Sequence, residues 1–106
     1  MIDYIGTIEK DIAISRYCTV VICGCGATGK NILDYLYSIG MTKEIRFCDI
    51  DEKKINTHYR NVYIYRYQDV VKSDDDTVYL ISNMDVRKTV QFLNQNKVKH
   101  IHIIRG

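Results

Sequence analysis

The chain has 106 residues and not one proline. No Pro-rich spacer, Gly/Ser-rich linker, low-complexity run or internal repeat divides it. Residues 1–106 therefore read as one domain, large enough for a core and too small for a cofactor domain plus a full substrate domain. No stretch approaches the ~20 apolar residues of a membrane span, and the start, Met1-Ile2-Asp3-Tyr4, lacks the basic-then-apolar order of a signal peptide. A cytoplasmic protein without membrane contact is expected. Excess charge is missing too. The 15 Lys and Arg against 13 Asp and Glu leave a formal +2 with the signs mixed, which gives no electrostatic footprint for nucleic acid. The four cysteines, Cys18, Cys23, Cys25 and Cys48, lack C-x-x-C spacing, so no zinc site is expected. They read as reduced thiols used as small strand and turn residues, with Cys25, beside a helix start, as the one redox candidate.

Glycine is sparse, six in all, yet three fall within Val20-Val21-Ile22-Cys23-Gly24-Cys25-Gly26-Ala27-Thr28-Gly29-Lys30. Gly24, Gly26 and Gly29 stand in G-x-G-x-x-G order between an apolar strand pattern and a helical one. In such a turn the first glycine permits a tight strand-to-helix reversal. The second lets backbone approach a pyrophosphate with no Cβ in the way, and the third allows close helix-on-strand packing. The helix that follows offers unpaired N–H groups and a positive dipole end to phosphate. A second strand, Glu44 to Asp49, ends 20 residues beyond Gly29, close to the ~20-residue offset at which a dinucleotide site places its ribose-binding carboxylate. The expected cofactor-binding residues are Gly24, Cys25, Gly26, Ala27, Thr28, Gly29, Asp49 and Ile50, with Ser82 and Asn83 lining the crevice from a later strand end. The ligand is expected to be NAD(H) rather than NADP(H). Asp49 repels a 2′-phosphate, Ile50 brings no positive charge, and Arg46, three residues before Asp49, points to the opposite face.

The same residues nearly fit a mononucleotide P-loop, since Gly24, Gly29 and Lys30 match G-x-x-x-x-G-K. Asn31 follows where that loop needs Ser or Thr for Mg²⁺, and no strand ends in an aspartate that would complete the metal site. Lys30 is then an exposed residue of the first helical turn.

Strand and helix patterns alternate along the chain. Ile5 to Ile14 reads as a leading helix, Thr19 to Cys23 as the first strand, and Ala27 to Ile39 as a helix with Ile32, Leu33, Leu36 and Ile39 on one face. After the second strand come a short charged helical turn, Asp51 to Ile55, a third strand, Asn61 to Tyr65, and a single helical turn, Gln68 to Lys72. A fourth strand spans Thr77 to Ile81, a helix about Asp85 to Asn94, and a last strand Lys99 to Ile104. The fold class this predicts is α/β: a doubly wound, Rossmann-like parallel sheet of about five strands in the order 3-2-1-4-5, covered by helices on both faces.

On these residues the chain resembles the Rossmann NAD(P)-binding domains, in particular the compact version found beside bacterial polysaccharide and nucleotide-sugar enzymes. There a strand of the form V-V-I-x-G-x-G-x-x-G-K leads to a helix with L-x-x-L and then to a strand ending F-x-D-x-D, matched here by Phe47-Cys48-Asp49-Ile50-Asp51. A later V-Y-L-I-S strand, here Val78 to Ser82, passes beneath the cofactor. The resemblance implies a cofactor domain of a carbohydrate-related system. Potassium-channel regulatory domains share the same glycine turn and D-x-D strand end, and sense nucleotides without transforming them.

Catalytic residues are not evident. The nine tyrosines include none with a lysine four residues on, so the Tyr-x-x-x-Lys dyad of short-chain dehydrogenases and sugar epimerases is absent. Ser82, Asn83 and Asp85 are polar without forming a nucleophile or an acid/base pair. His100 and His102 alternate on the last strand and read as a solvated edge. Tyr63, Tyr65 and Tyr67 alternate as a half-buried strand face or partner contact. The last strand and the tyrosine-rich third strand are the expected edges for a homodimer or an additional domain.

Overall fold

A computed structural model describes residues 14–40, 43–83 and 85–104. The expected leading helix lies outside these except for Ile14, which opens a 3-10 turn, Ile14–Arg16. The chain then forms β1 (Thr19–Cys23), α1 (Ala27–Ser38), β2 (Glu44–Cys48), β3 (His58–Tyr59), β4 (Val62–Tyr65), α2 (Tyr67–Val70), β5 (Thr77–Ile81), α3 (Val86–Gln95) and β6 (Ile101–Ile103). The architecture is mixed α/β, with one six-stranded, mostly parallel sheet in the order β3-β4-β2-β1-β5-β6. No helix among the described residues is long and apolar enough to cross a membrane.

β1 is central, paired in parallel along its whole length with β2 and with β5. A strand buried on both faces needs an apolar run rather than alternation, and Val20 to Cys23 supply it. Val20 and Ile22 point to the α1 side, where they meet Ile32, Leu33, Leu36 and Phe47. Val21 and Cys23 point the other way, toward Tyr67 and Val70 of α2 and Leu93 of α3. Each fully buried Ile or Leu on these faces contributes roughly 1.5–3 kcal/mol.

Six strands stand where about five were expected, and the sheet is not wholly parallel. The addition is β3, antiparallel to β4. Its turn residues Arg60 and Asn61 both have positive φ, 49° and 69°, the requirement of a two-residue type I′ hairpin. β3 covers β4, so the tyrosine-rich strand is not an edge; among the described residues the edges are β3 and β6. Tyr67 leaves that strand to start α2 and is buried. The charged segment after β2 is a single turn, closed by Lys54 and Ile55 donating their backbone N–H groups to the Asp51 carbonyl. His100 and His102 are half-buried rather than solvated; the His100 ring packs 5.0 Å from that of Tyr17 and lies 3.7 Å from Asp75.

Candidate functional site

The three glycines differ in what the protein itself demands of them. Gly24, at the end of β1, has φ +105°, and a Cβ there would stand 2.8 Å from the Asn83 Cβ. Gly29, in the first turn of α1, would place a Cβ 2.0 Å from the Gly24 carbonyl oxygen. Neither position accepts a side chain, for reasons of backbone and packing. Gly26, which caps α1, has φ −96° and, its two chain neighbours aside, no atom of the described residues within 4 Å of where its Cβ would stand. Nothing among the described residues requires glycine there.

Gly26 borders a cleft of about 410 Å³ lined by Gly24, Ala27, Thr28, Asp49, Asp51, Lys54, Ser82 and Asn83. It lies beyond the carboxyl ends of β1, β2 and β5. The first N–H groups of α1, at Ala27 and Thr28, have no intrahelical acceptor and stand at its wall. The Asp49 carboxylate is half-buried: Oδ2 accepts the Cys25 N–H at 2.8 Å and Oδ1 the Asp51 N–H at 2.9 Å. A carboxylate offers about four lone-pair sites, so roughly two remain for a ligand's hydroxyls. Asp49 thus ties β2 to the glycine turn while facing the cleft.

Seven of the ten expected residues line this cleft, and three do not. Cys25 is turned beneath the loop, Gly29 is buried under Gly24, and Ile50, 73% exposed, borders an adjoining cleft. Ser82 and Asn83 are held by the fold. The Ser82 hydroxyl donates toward the carbonyls of Cys23 and Gly24, at 3.0 Å each. The Asn83 amide nitrogen donates to Tyr67 Oη at 3.1 Å and Thr89 Oγ1 at 2.8 Å, while its buried Oδ1 has no partner among the described residues. Asp85 caps α3 by accepting from the Lys88 N–H.

Asp51 and Lys54 are additions. Lys54 lines the same cleft as Asp49, a cation that the weighing of Ile50 and Arg46 did not include; its only sequence signal is a position in the charged turn five residues on. Lys30 is half-buried instead of exposed, its Nζ 5.1 Å from the centroid of the Tyr59 ring and outside the lining of the glycine cleft. A P-loop lysine would have to reach into that cleft. Arg46 pairs with Glu44 at 2.6 Å.

The adjoining cleft, about 290 Å³, shares Asn83 and is lined by Ile50, Tyr67, Gln68, Asp85, Lys88, Thr89 and Phe92. Burial pushes the Tyr67 hydroxyl well above its usual range, so it serves as a neutral hydrogen-bonding group. Burial also raises the Cys25 thiol, against the lowering influence of Lys30 and Lys54, and raises Cys48, helped by its Cys23 neighbour. Raised thiols are poor nucleophiles, which counts against a redox role for Cys25. No protein-family model matches the chain, and neither does any curated protein or solved structure compared with it.

Proposed function

We propose that the chain is a Rossmann dinucleotide-binding domain that holds NAD(H), or a related adenine nucleotide, in the cleft at the glycine turn. The observation that carries this reading is Gly26: a glycine that the fold does not need, at a helix N-terminus, facing an open cleft. Only an occupant of the cleft would meet its Cβ. The pyrophosphate lies along the N–H groups of Ala27 and Thr28, Asp49 accepts from the adenosine ribose hydroxyls, and the base enters the adjoining cleft between Ile50, Tyr67 and Phe92. The reading is supported by the parallel strand order β4-β2-β1-β5-β6, with the cleft where the connections from β1 and β5 diverge.

Binding without self-contained turnover is the expected activity. Ser82 and Asn83 spend their donors inside the fold, and the ionisable groups at the cleft, Asp49, Asp51 and Lys54, are read as holding the nucleotide. The module serves as the cofactor domain of a carbohydrate or nucleotide-sugar system, or as a nucleotide sensor of the channel-regulator type; the engaged cleft side chains favour the sensor. A second copy or a further domain seats on an open sheet edge. A thermal-shift panel of NAD⁺, NADH, NADP⁺, AMP, ATP and UDP-sugars tests the reading. A ligand at about 100 times its Kd stabilises by ~2.7 kcal/mol. Stabilisation by NAD(H) that vanishes in a folded Gly26→Val chain is the expected result, and an equal response in the two proteins overturns it.

A further inference from the structure

A smaller cleft of about 100 Å³ adjoins the glycine turn, lined by Cys25, Lys30, Lys54, His58 and Tyr59 among others. Its charge is unbalanced. Elsewhere, half-buried Arg46 and Arg66 meet Glu44 and Glu52, and Lys43 donates to the Tyr17 carbonyl. Lys30 and Lys54, also half-buried, meet no carboxylate of the described residues. Neighbouring acids are hydrogen-bonded elsewhere: Asp34 to Arg60 and the Tyr59 hydroxyl, Asp49 to the N–H groups of Cys25 and Asp51, and Asp51 to the Lys53 N–H. Both lysines line this cleft with Cys25, whose thiol feels them and, with opposite sign, Asp49.

Lys30 rests on the Tyr59 ring, yet partly desolvated cations without a paired carboxylate are costly, and a bound anion lowers that cost. The cleft is about a quarter of the glycine-turn cleft in volume, which suits one tetrahedral oxyanion better than a nucleoside. We propose that Lys30, Lys54 and His58 form a phosphate-binding site beside the glycine-turn cleft and distinct from its pyrophosphate position. Lys54 lines both clefts, so a phosphate here is a neighbour of whatever occupies the larger one. The phosphate arrives either free or as a monoester on the ribose of the nucleotide. The site stands on its own geometry and not on the nucleotide reading.

Titration of the ¹⁵N-labelled chain with inorganic phosphate, at ionic strength held constant with chloride, tests this. Saturable shifts of the Thr57, His58 and Tyr59 amide signals are expected, with affinity reduced about tenfold in Lys30→Gln, the loss of one charge-assisted contact. The variant's own amide spectrum reports that it is folded. The two sources are separated by NAD⁺ and NADP⁺. A phosphate carried on the ribose makes NADP⁺ the tighter ligand and a competitor of phosphate, with Lys30→Gln removing only that advantage. A free phosphate binds together with NAD⁺. Shifts that are linear in phosphate, or unchanged in Lys30→Gln, overturn the site. Phosphate binding without any NAD⁺ binding sinks the nucleotide reading and leaves this site standing.

Discussion

Gly26 and Gly29 differ by three positions and by opposite roles, and substitution separates them. Gly26→Ala adds a methyl group that touches no protein atom, so stability should stay within about 1 kcal/mol of wild type while nucleotide binding falls. Gly29→Ala drives a Cβ into the Gly24 carbonyl and should lose roughly 1–3 kcal/mol of stability, as overpacking does. Urea unfolding of both, with dinucleotide titration of Gly26→Ala, checks the pair; a destabilised Gly26→Ala would return that glycine to a purely structural role. Asp49 is less diagnostic. It fastens the Cys25 and Asp51 amides as well as facing the cleft, so Asp49→Ala should lose binding by about 1–3 kcal/mol and lose stability with it.

At the scale of elements, the β3–β4 hairpin depends on two residues in left-handed conformation without a glycine. Asn tolerates that region better than Ala, so Asn61→Ala should destabilise by about 1 kcal/mol while Asn61→Gly stays close to neutral. Thermal melts that rank the two variants the other way would show that the turn is not under this constraint. The absence of glycine is also why the hairpin was not legible: Arg60-Asn61 carries no Asn-Gly or Asp-Gly signal, and a two-residue strand shows no alternation. The long elements were legible to within a residue or two because their apolar periodicity is strong. Ile32, Leu33 and Leu36 mark the buried face of α1, as Thr77 to Ile81 mark a strand buried on both faces.

For the whole molecule, buried thiols and phenols give stability a sign with pH. Cys48 holds its proton well above the ordinary thiol value of 9.0, chiefly through burial, and Cys25, Tyr67 and Tyr79 are raised for the same reason. Above pH 9 the unfolded chain releases protons that the folded chain retains. That part of the stability is therefore complete below the unfolded value and is lost as pH rises toward the folded one, by up to ~1.4 kcal/mol per pH unit for each such group. Urea midpoints from pH 8 to pH 10.5 should fall, and fall less steeply in Cys48→Ala. A flat profile would mean that these groups ionise alike in both states. Association belongs to the same scale: Ile103 on β6 is 38% exposed, and sedimentation of wild type against Ile103→Lys should show self-association weakened by a charge on that edge.

Local rules were enough to determine the glycine turn, the alternation of strand and helix, and the position of Asp49 at a strand end. Each follows from backbone freedom or from apolar periodicity within one segment. Tertiary structure alone decided which residues share a cleft. It turned Cys25 and Gly29 inward, brought Lys54 to the cleft that Asp49 faces, and set Lys30 over Tyr59, away from the glycine cleft. It also spent the Ser82 and Asn83 donors on the fold. The physical reason is distance along the chain. Apart from the Asn83–Thr89 bond, the hydrogen bonds that aim these groups join residues 16 to 59 positions apart, across strands whose register is set by the packing of the whole sheet.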